Sequence, residues 1–216
     1  MYEENALSLA AVQAALALKS FDVYRAQTSM APLGRRLTRA SNRTGTAKEA
    51  AVLVLLYPHP IDLHLVLIRR NTYNGVHSDQ IGLPGGKREY QETFLQAALR
   101  ETEEELGVSS KSIQLIGNLT PIYIPPSDYI VHPFVGYVMS RPIWIPDPKE
   151  VVEVIETPLA ILLDDTIKQH QHMNIQGITV RVPYYNIQGH QVWGATAVML
   201  SELEGRLRFV LHQNNH

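Results

Sequence analysis

The chain contains no cysteine, which excludes a disulfide framework, thiolate catalysis and a cysteine-based zinc site. It contains no stretch approaching the roughly 20 apolar residues that cross a bilayer. The first twenty residues, MYEENALSLAAVQAALALKS, open with two glutamates rather than lysines or arginines, so a secretory signal is not expected and cytoplasmic location is the default. The formal net charge is only -2. No global field therefore attracts nucleic acid or an anionic membrane, and neither is an expected partner.

What remains is a soluble globular composition, 45% hydrophobic and 19% charged over 216 residues. That length fits one domain of ordinary size. The reading is a single domain over 1–216, with a helical extension at about 1–45. Leu7 to Leu18 is rich in alanine and leucine and predicts a helix, with Asn5 as a candidate cap. Arg35, Arg36, Arg39 and Arg43 could line one side of a short helical stretch, read as a solvated basic face.

From Ala50 the texture changes. Ala51 to Tyr57 is a continuous apolar run, followed by a Pro-His-Pro turn and by Leu63 to Ile68. This predicts two strands joined by a tight connection. Residues 71–86 read as loop. Phe94 to Leu106 predicts the clearest helix. Strands are expected near Ile113 to Leu119, His132 to Met139 and Val180 to Tyr185, a short helix after Pro158, and a last long helix over Ala195 to Leu203. Such irregular alternation suggests helices packed on a mixed sheet.

The helix at 94–106 carries a conflict. Leu95, Ala98, Leu99, Thr102 and Leu106 fall on one side by i, i+3, i+4 spacing and predict its core face. Glu101, Glu104 and Glu105 fall on another side, where like charges repel by a few tenths of a kcal/mol per pair. They also sit near the helix C-terminus, whose dipole disfavours anions. A conflict of this kind is expected at a functional site. A divalent cation would resolve it, because carboxylates supply hard oxygen ligands. Taken alone, a run of three glutamates is more often a solvated face.

The register around that run decides between the two readings. The segment GGKREYQETFLQAALRETEEELGV resembles the Nudix box, G-x5-E-x7-R-E-U-x-E-E-x-G-U with U a bulky apolar residue. Gly86, Glu92, Arg100, Glu101, Glu104, Glu105 and Gly107 fall in place, Val108 fills the last apolar position, and Thr102 is a mild departure at the first. The resemblance implies an α/β/α sandwich with a mixed sheet, in which the box forms a loop-helix-loop. It also implies a metal-dependent pyrophosphohydrolase acting on nucleoside diphosphate-linked substrates. Glu101, Glu104 and Glu105 would hold Mg²⁺ (or Mn²⁺), Glu92 would assist, and Arg100 would orient the carboxylates. Gly85 and Gly86 would let the backbone approach the phosphates. Glu101 and Glu150 are the two candidates for general base, with Glu153 behind them.

The flanks carry a second resemblance. LIRRNTYNGVHSDQIGLPGG, ahead of the box, is similar to the additional motif of the coenzyme A pyrophosphatase subfamily at Arg70, His77, Gln80, Ile81, Leu83, Pro84, Gly85 and Gly86. It departs at Asn71, Asn74, Gly75 and Asp79, and more mildly at Gly82. Three further stretches, Leu119 to Val138, Glu150 to Asp165 and Val192 to Leu203, also resemble it in order and spacing. The implied reaction is hydrolysis of coenzyme A or acyl-coenzyme A to 3′,5′-ADP and (acyl-)phosphopantetheine. Arg69 and Arg70 would offer forked donors to phosphate, and His77 a further donor. The departures leave ADP-ribose or a dinucleotide as alternative substrates, and a non-catalytic ligand-binding module as another class. The family often dimerises, and the N-terminal helix is the candidate contact for a homodimer.

Overall fold

The computed structural model describes residues 7–32, 47–60, 62–71, 80–175 and 177–214. Asn5, the four arginines at 35–43, and Asn74, Gly75, His77 and Asp79 lie outside those residues.

The architecture follows from one strand. β1 (Lys48–Pro58) sends Ala51, Leu53, Leu55 and Tyr57 to one face of the sheet, all fully buried. It sends Ala50, Val54 and Leu56 to the other. Period-2 alternation with both faces apolar is the pattern of a strand sandwiched between two layers. β2 (Leu63–Arg70) repeats it, with Leu65 and Leu67 on one side and Val66 and Ile68 on the other.

Around this pair stand β3 (Ile81–Gly82), β4 (Gly85–Lys87), β5 (Gln114–Asn118), β6 (Ile122–Ile124), β7 (Tyr129–Tyr137) and β8 (Val151–Pro158). The order is β3-β2-β1-β7-β5, with β4 on β1, β6 on β7 and β8 on β2. β1 and β7 run parallel; the other pairs are antiparallel. The sheet is therefore mixed, as expected.

One face is covered by α3 (Phe94–Leu106). The other is covered by α1 (Leu9–Leu16) and α4 (Gly194–Asn214), with α2 (Val23–Ser29) packed on α4. A second antiparallel sheet of β9 (Lys168–Ile175), β10 (Ile178–Ile187) and β11 (His190–Trp193) packs beside α4. The result is the expected α/β/α sandwich. α1 starts at Ser8, whose hydroxyl accepts from Ala11 N at 3.1 Å. Its apolar positions Val12 and Ala15 are buried within the chain, and α1 packs on α4. No helix among the described residues is long and apolar enough to cross a membrane.

Candidate active site

α3 is fixed at both ends by local chemistry. Thr93 and Gln96 form a reciprocal capping box, with Gln96 N donating to Thr93 Oγ1 at 3.2 Å and Thr93 N to Gln96 Oε1 at 2.8 Å. Left-handed Gly107, at φ 70°, ends the helix. Between them Ala97 and Ala98 are fully buried, and the helix packs on β1 and β4.

The buried face differs from the one expected. Ala98, Thr102 and Leu106 are buried, but Leu95 and Leu99 are only half-buried, while Ala97 and Glu105 lie inside. The three glutamates therefore do not share one environment. Glu105 is 1% exposed, Glu101 is half-buried, and Glu104 faces solvent. A carboxylate tolerates such burial only with partners. Glu105 has two: Gly85 N donates to its Oε2 at 2.7 Å, and Arg70 Nη2 lies 3.2 Å from its Oε1. The second contact is not aligned as a hydrogen bond, so Oε1 is buried without a donor. Burial pushes the Glu105 carboxyl up to about 7, against the pull of Arg70. Burial also raises Glu101, opposed by Arg100.

Arg100 is the hub of the exposed half. It pairs with Glu92 through two bonds of 2.9 and 3.1 Å, and reaches Glu101 at 3.0 Å and Glu104 at 2.9 Å. Glu92 also accepts from Glu89 N at 2.7 Å. Its carboxyl is held below the usual range, chiefly by the Arg100 hydrogen bonds. Arg100 thus ties three of the box carboxylates together.

Glu150 arrives from a distant loop that docks on the end of α3. Ile145 N donates to Leu106 O at 3.0 Å and Asp147 N to Glu105 O at 3.1 Å. The loop thus satisfies carbonyls that a helix C-terminus leaves open. Asn71 ties it from the other side. Its N donates to Glu150 O at 2.8 Å, and its amide to Pro148 O and Lys149 O at 3.2 Å each. The departure from the subfamily motif at position 71 thus has a structural use that one sequence gives no signal for. Carboxylate oxygens of Glu101, Glu105 and Glu150 lie within 4.8 Å of one another. Glu104 is outside this group, held by Arg100.

Gly85 and Gly86 form the opposite wall. A Cβ on Gly86 would run into the Glu101 carboxylate, and one on Gly85 into Ala51 O and Val52 of β1. Only glycine lets the β4 backbone lie this close to the acidic group. The two arginines before the box are engaged. Arg70 donates to Gly85 O at 2.6 Å, and Arg69 pairs with Glu153 at 3.0 Å. His190 Nε2 lies 3.4 Å from the same Glu153. Glu153 thus sits with Arg69 and His190, apart from the Glu101, Glu105 and Glu150 group. His77 lies outside the described residues.

The donor set tests what cation would fit. Three hard carboxylate oxygens suit a divalent cation such as Mg²⁺ or Mn²⁺ rather than a thiolate- or imidazole-seeking ion.

Comparisons with known proteins identify the family. A family model described as the NUDIX domain matches residues 47–174. An uncharacterized Nudix hydrolase NudL of Photorhabdus laumondii is 31% identical over 184 residues, covering 84% of this chain and 93% of the relative. A protein of the same name from Yersinia pestis is 30% identical, covering 77% and 83%. Among solved structures, a Nudix hydrolase from M. smegmatis, RenU, superposes with a TM-score of 0.52 at 16% identity, over 82% of this chain and 94% of that one; this likeness shows the fold. The chain therefore belongs to the Nudix family, as a metal-dependent pyrophosphohydrolase of nucleoside diphosphate-linked substrates.

Proposed function

We propose that the substrate is coenzyme A or an acyl derivative, cleaved to 3′,5′-ADP and (acyl-)phosphopantetheine. The observation that supports it is the stretch from Arg70 to Gly86, with its subfamily-like residues placed directly ahead of the acidic group. Glu101, Glu105 and Glu150 would hold Mg²⁺ or Mn²⁺, and Glu104 would join them on leaving Arg100. When bound, the metal neutralises phosphoryl oxygens and lowers the pKa of bound water.

This chain's own residues do the rest. Gly85 and Gly86 let the β4 backbone lie against the carboxylates, where Gly85 N holds Glu105. Arg100 keeps Glu101 aimed at the group, and Arg70 fixes Gly85 and Glu105 in relation to each other. Water attacks one phosphorus, the anhydride P–O bond breaks, and a carboxylate takes the proton. Glu150 and Glu101 are the two candidates for that base. Arg69 and His77 would contact the remaining phosphate oxygens, Arg69 by exchanging Glu153 for substrate.

The test is a mass-spectrometric product assay with coenzyme A, ADP-ribose and NADH, each with Mg²⁺, with Mn²⁺ and with EDTA. Phosphopantetheine appearing only with metal, and faster than AMP from the other two, is the expected result. Metal-dependent cleavage of ADP-ribose or NADH alone would discard the coenzyme A reading and keep the chemistry. Stoichiometric binding with no product from any of the three would instead support a ligand-binding module.

A further inference from the structure

A second cluster of metal-ligating side chains sits at the other end of the central hairpin. β1 leaves the sheet at Pro58, and β2 enters it at Leu63. Across the turn, His59 N donates to Asp62 O at 2.8 Å, which folds the connection back on itself. Tyr57 pairs with His64 in the register. The hairpin thereby brings His59, Asp62 and His64 together, with one ligand atom from each within 4.8 Å of the others. The two imidazole rings are 4.1 Å apart, tilted by 30°.

His64 is the informative member. Its Nδ1 is buried and has no hydrogen-bond partner, though Asp62 Oδ1 lies 3.0 Å away. The buried nitrogen and the carboxylate oxygen thus face each other at ion-pair distance without the alignment of a full hydrogen bond. A cation between the two would satisfy both. Tetrahedral bonds of about 2.0–2.1 Å place neighbouring ligand atoms roughly 3.3 Å apart. The Oδ1–Nδ1 separation is already close to that, and half-buried Asp62 and exposed His59 can adjust.

We propose that His59, Asp62 and His64 form a second metal site, which takes a first-row transition-metal dication of the zinc class. Two imidazoles and one carboxylate make a nitrogen-rich donor set, unlike the all-oxygen group at the active site. Three protein ligands with an exposed edge at His59 leave one position for water. The two sites are independent. Gly85 pairs with Val52 and His64 with Tyr57, a distance of roughly 17 Å along β1 at ~3.3 Å per residue. An ion here clips the turn that joins the two most deeply buried strands, so its bond energy adds to folding stability.

The experiment uses untagged full-length protein carrying Glu101→Gln and Glu105→Gln, which removes the all-oxygen site as a competitor. Co²⁺ serves as a spectroscopic probe and Zn²⁺ as a competitor. One Co²⁺ per chain with visible d–d absorption, displaced by Zn²⁺, is expected. His59→Ala and Asp62→Asn should each weaken it at least ~10-fold, and Zn²⁺ should raise Tm only where both residues are intact. No saturable Co²⁺ in this background would overturn the site, as would equal binding in the His59→Ala and Asp62→Asn variants. These two variants carry the test because His64 lies within β2, mostly covered, and its replacement can disturb folding by itself. Failure here leaves the active-site reading untouched, since those carboxylates are already removed.

Discussion

Two helices of this chain bury glutamates, and they treat them differently. On α4, Glu202 is fully buried, yet it accepts from Gln27 at 2.9 Å, from Thr120 N and Oγ1 at 3.1 and 3.0 Å, and from Arg206 at 3.0 Å. Glu204 accepts from Tyr185 at 2.6 Å, Lys168 at 2.5 Å and Arg208 at 2.6 Å. Arg206 goes on to the Ala15 and Leu18 carbonyls at 3.4 Å, closing the end of α1. Each carboxylate has its donors within the protein. On α3, Glu105 is as deeply buried but has one aligned donor, with Arg70 nearby, and an oxygen left over. Protein charge neutralises the first pair for stability. The second group has a deficit of cation, which is what a site built for an incoming metal requires.

Substitutions on the two helices should therefore separate activity from stability. Glu105→Gln keeps an acceptor for Gly85 N and removes a charge from the interior. Turnover should fall at least ~100-fold, about 2.7 kcal/mol in barrier, with Tm not lowered; wild-type rates would remove Glu105 from the metal site. Glu202→Gln is the mirror case. It weakens the partnership of a buried arginine and should cost about 3 kcal/mol in denaturant unfolding, while turnover per folded molecule stays unchanged. A large loss of specific activity in folded Glu202→Gln would erase the contrast.

Smaller effects sharpen it. Arg100→Lys replaces a guanidinium that holds Glu92 through two bonds and reaches Glu101 and Glu104 as well. A lysine cannot make that fork, so turnover should drop roughly 10-fold, about 1.4 kcal/mol, with little change in Tm. Unaltered kinetics would mean the carboxylates need no orienting cation.

The smallest effect is a pH dependence away from both helices. Arg141 first, and then the Tyr57 hydroxyl, hold the Glu156 carboxyl down at about 2, below its ordinary 4.5. A depressed folded-state pKa stabilises above the unfolded value and is lost as pH falls through the folded one. Stability should therefore decline between about pH 4.5 and 2. Glu156→Gln should flatten that part of the curve in urea titrations at graded pH; an unchanged slope would show that the pair is screened by solvent.

Much of this was legible in the sequence, for identifiable reasons. Ala51 to Tyr57 reads as a strand because both its faces are apolar, and Phe94 to Leu106 as a helix because a cap, a periodic stripe and a terminal glycine agree. β8 was not anticipated; only the helical turn after Pro158 was, and it is present at Leu159–Leu163. β9, KQHQHMNI, lies at the edge of a small sheet and has no apolar alternation to reveal it. α4 runs to Asn214, well past Leu203, because charges that look like a solvated end are paired inside. At the site, register alone located Glu92, Arg100, Glu101, Glu104 and Glu105. Their separate environments depend on Arg70, Gly85 and the loop bearing Glu150, which come from elsewhere in the chain. Asn71, which fastens that loop, registered only as a departure from the subfamily motif, and Asp147, which does the same, left no readable mark.

The central claim is that Glu101, Glu105 and Glu150 hold the divalent metal. Manganese titration followed by electron paramagnetic resonance tests it most directly, comparing wild type with Glu105→Gln and Glu150→Gln. The account predicts saturable Mn²⁺ binding in wild type, weakened at least ~10-fold in each variant, about 1.4 kcal/mol, with the fold intact by circular dichroism. Equal Mn²⁺ affinity in all three proteins would contradict it.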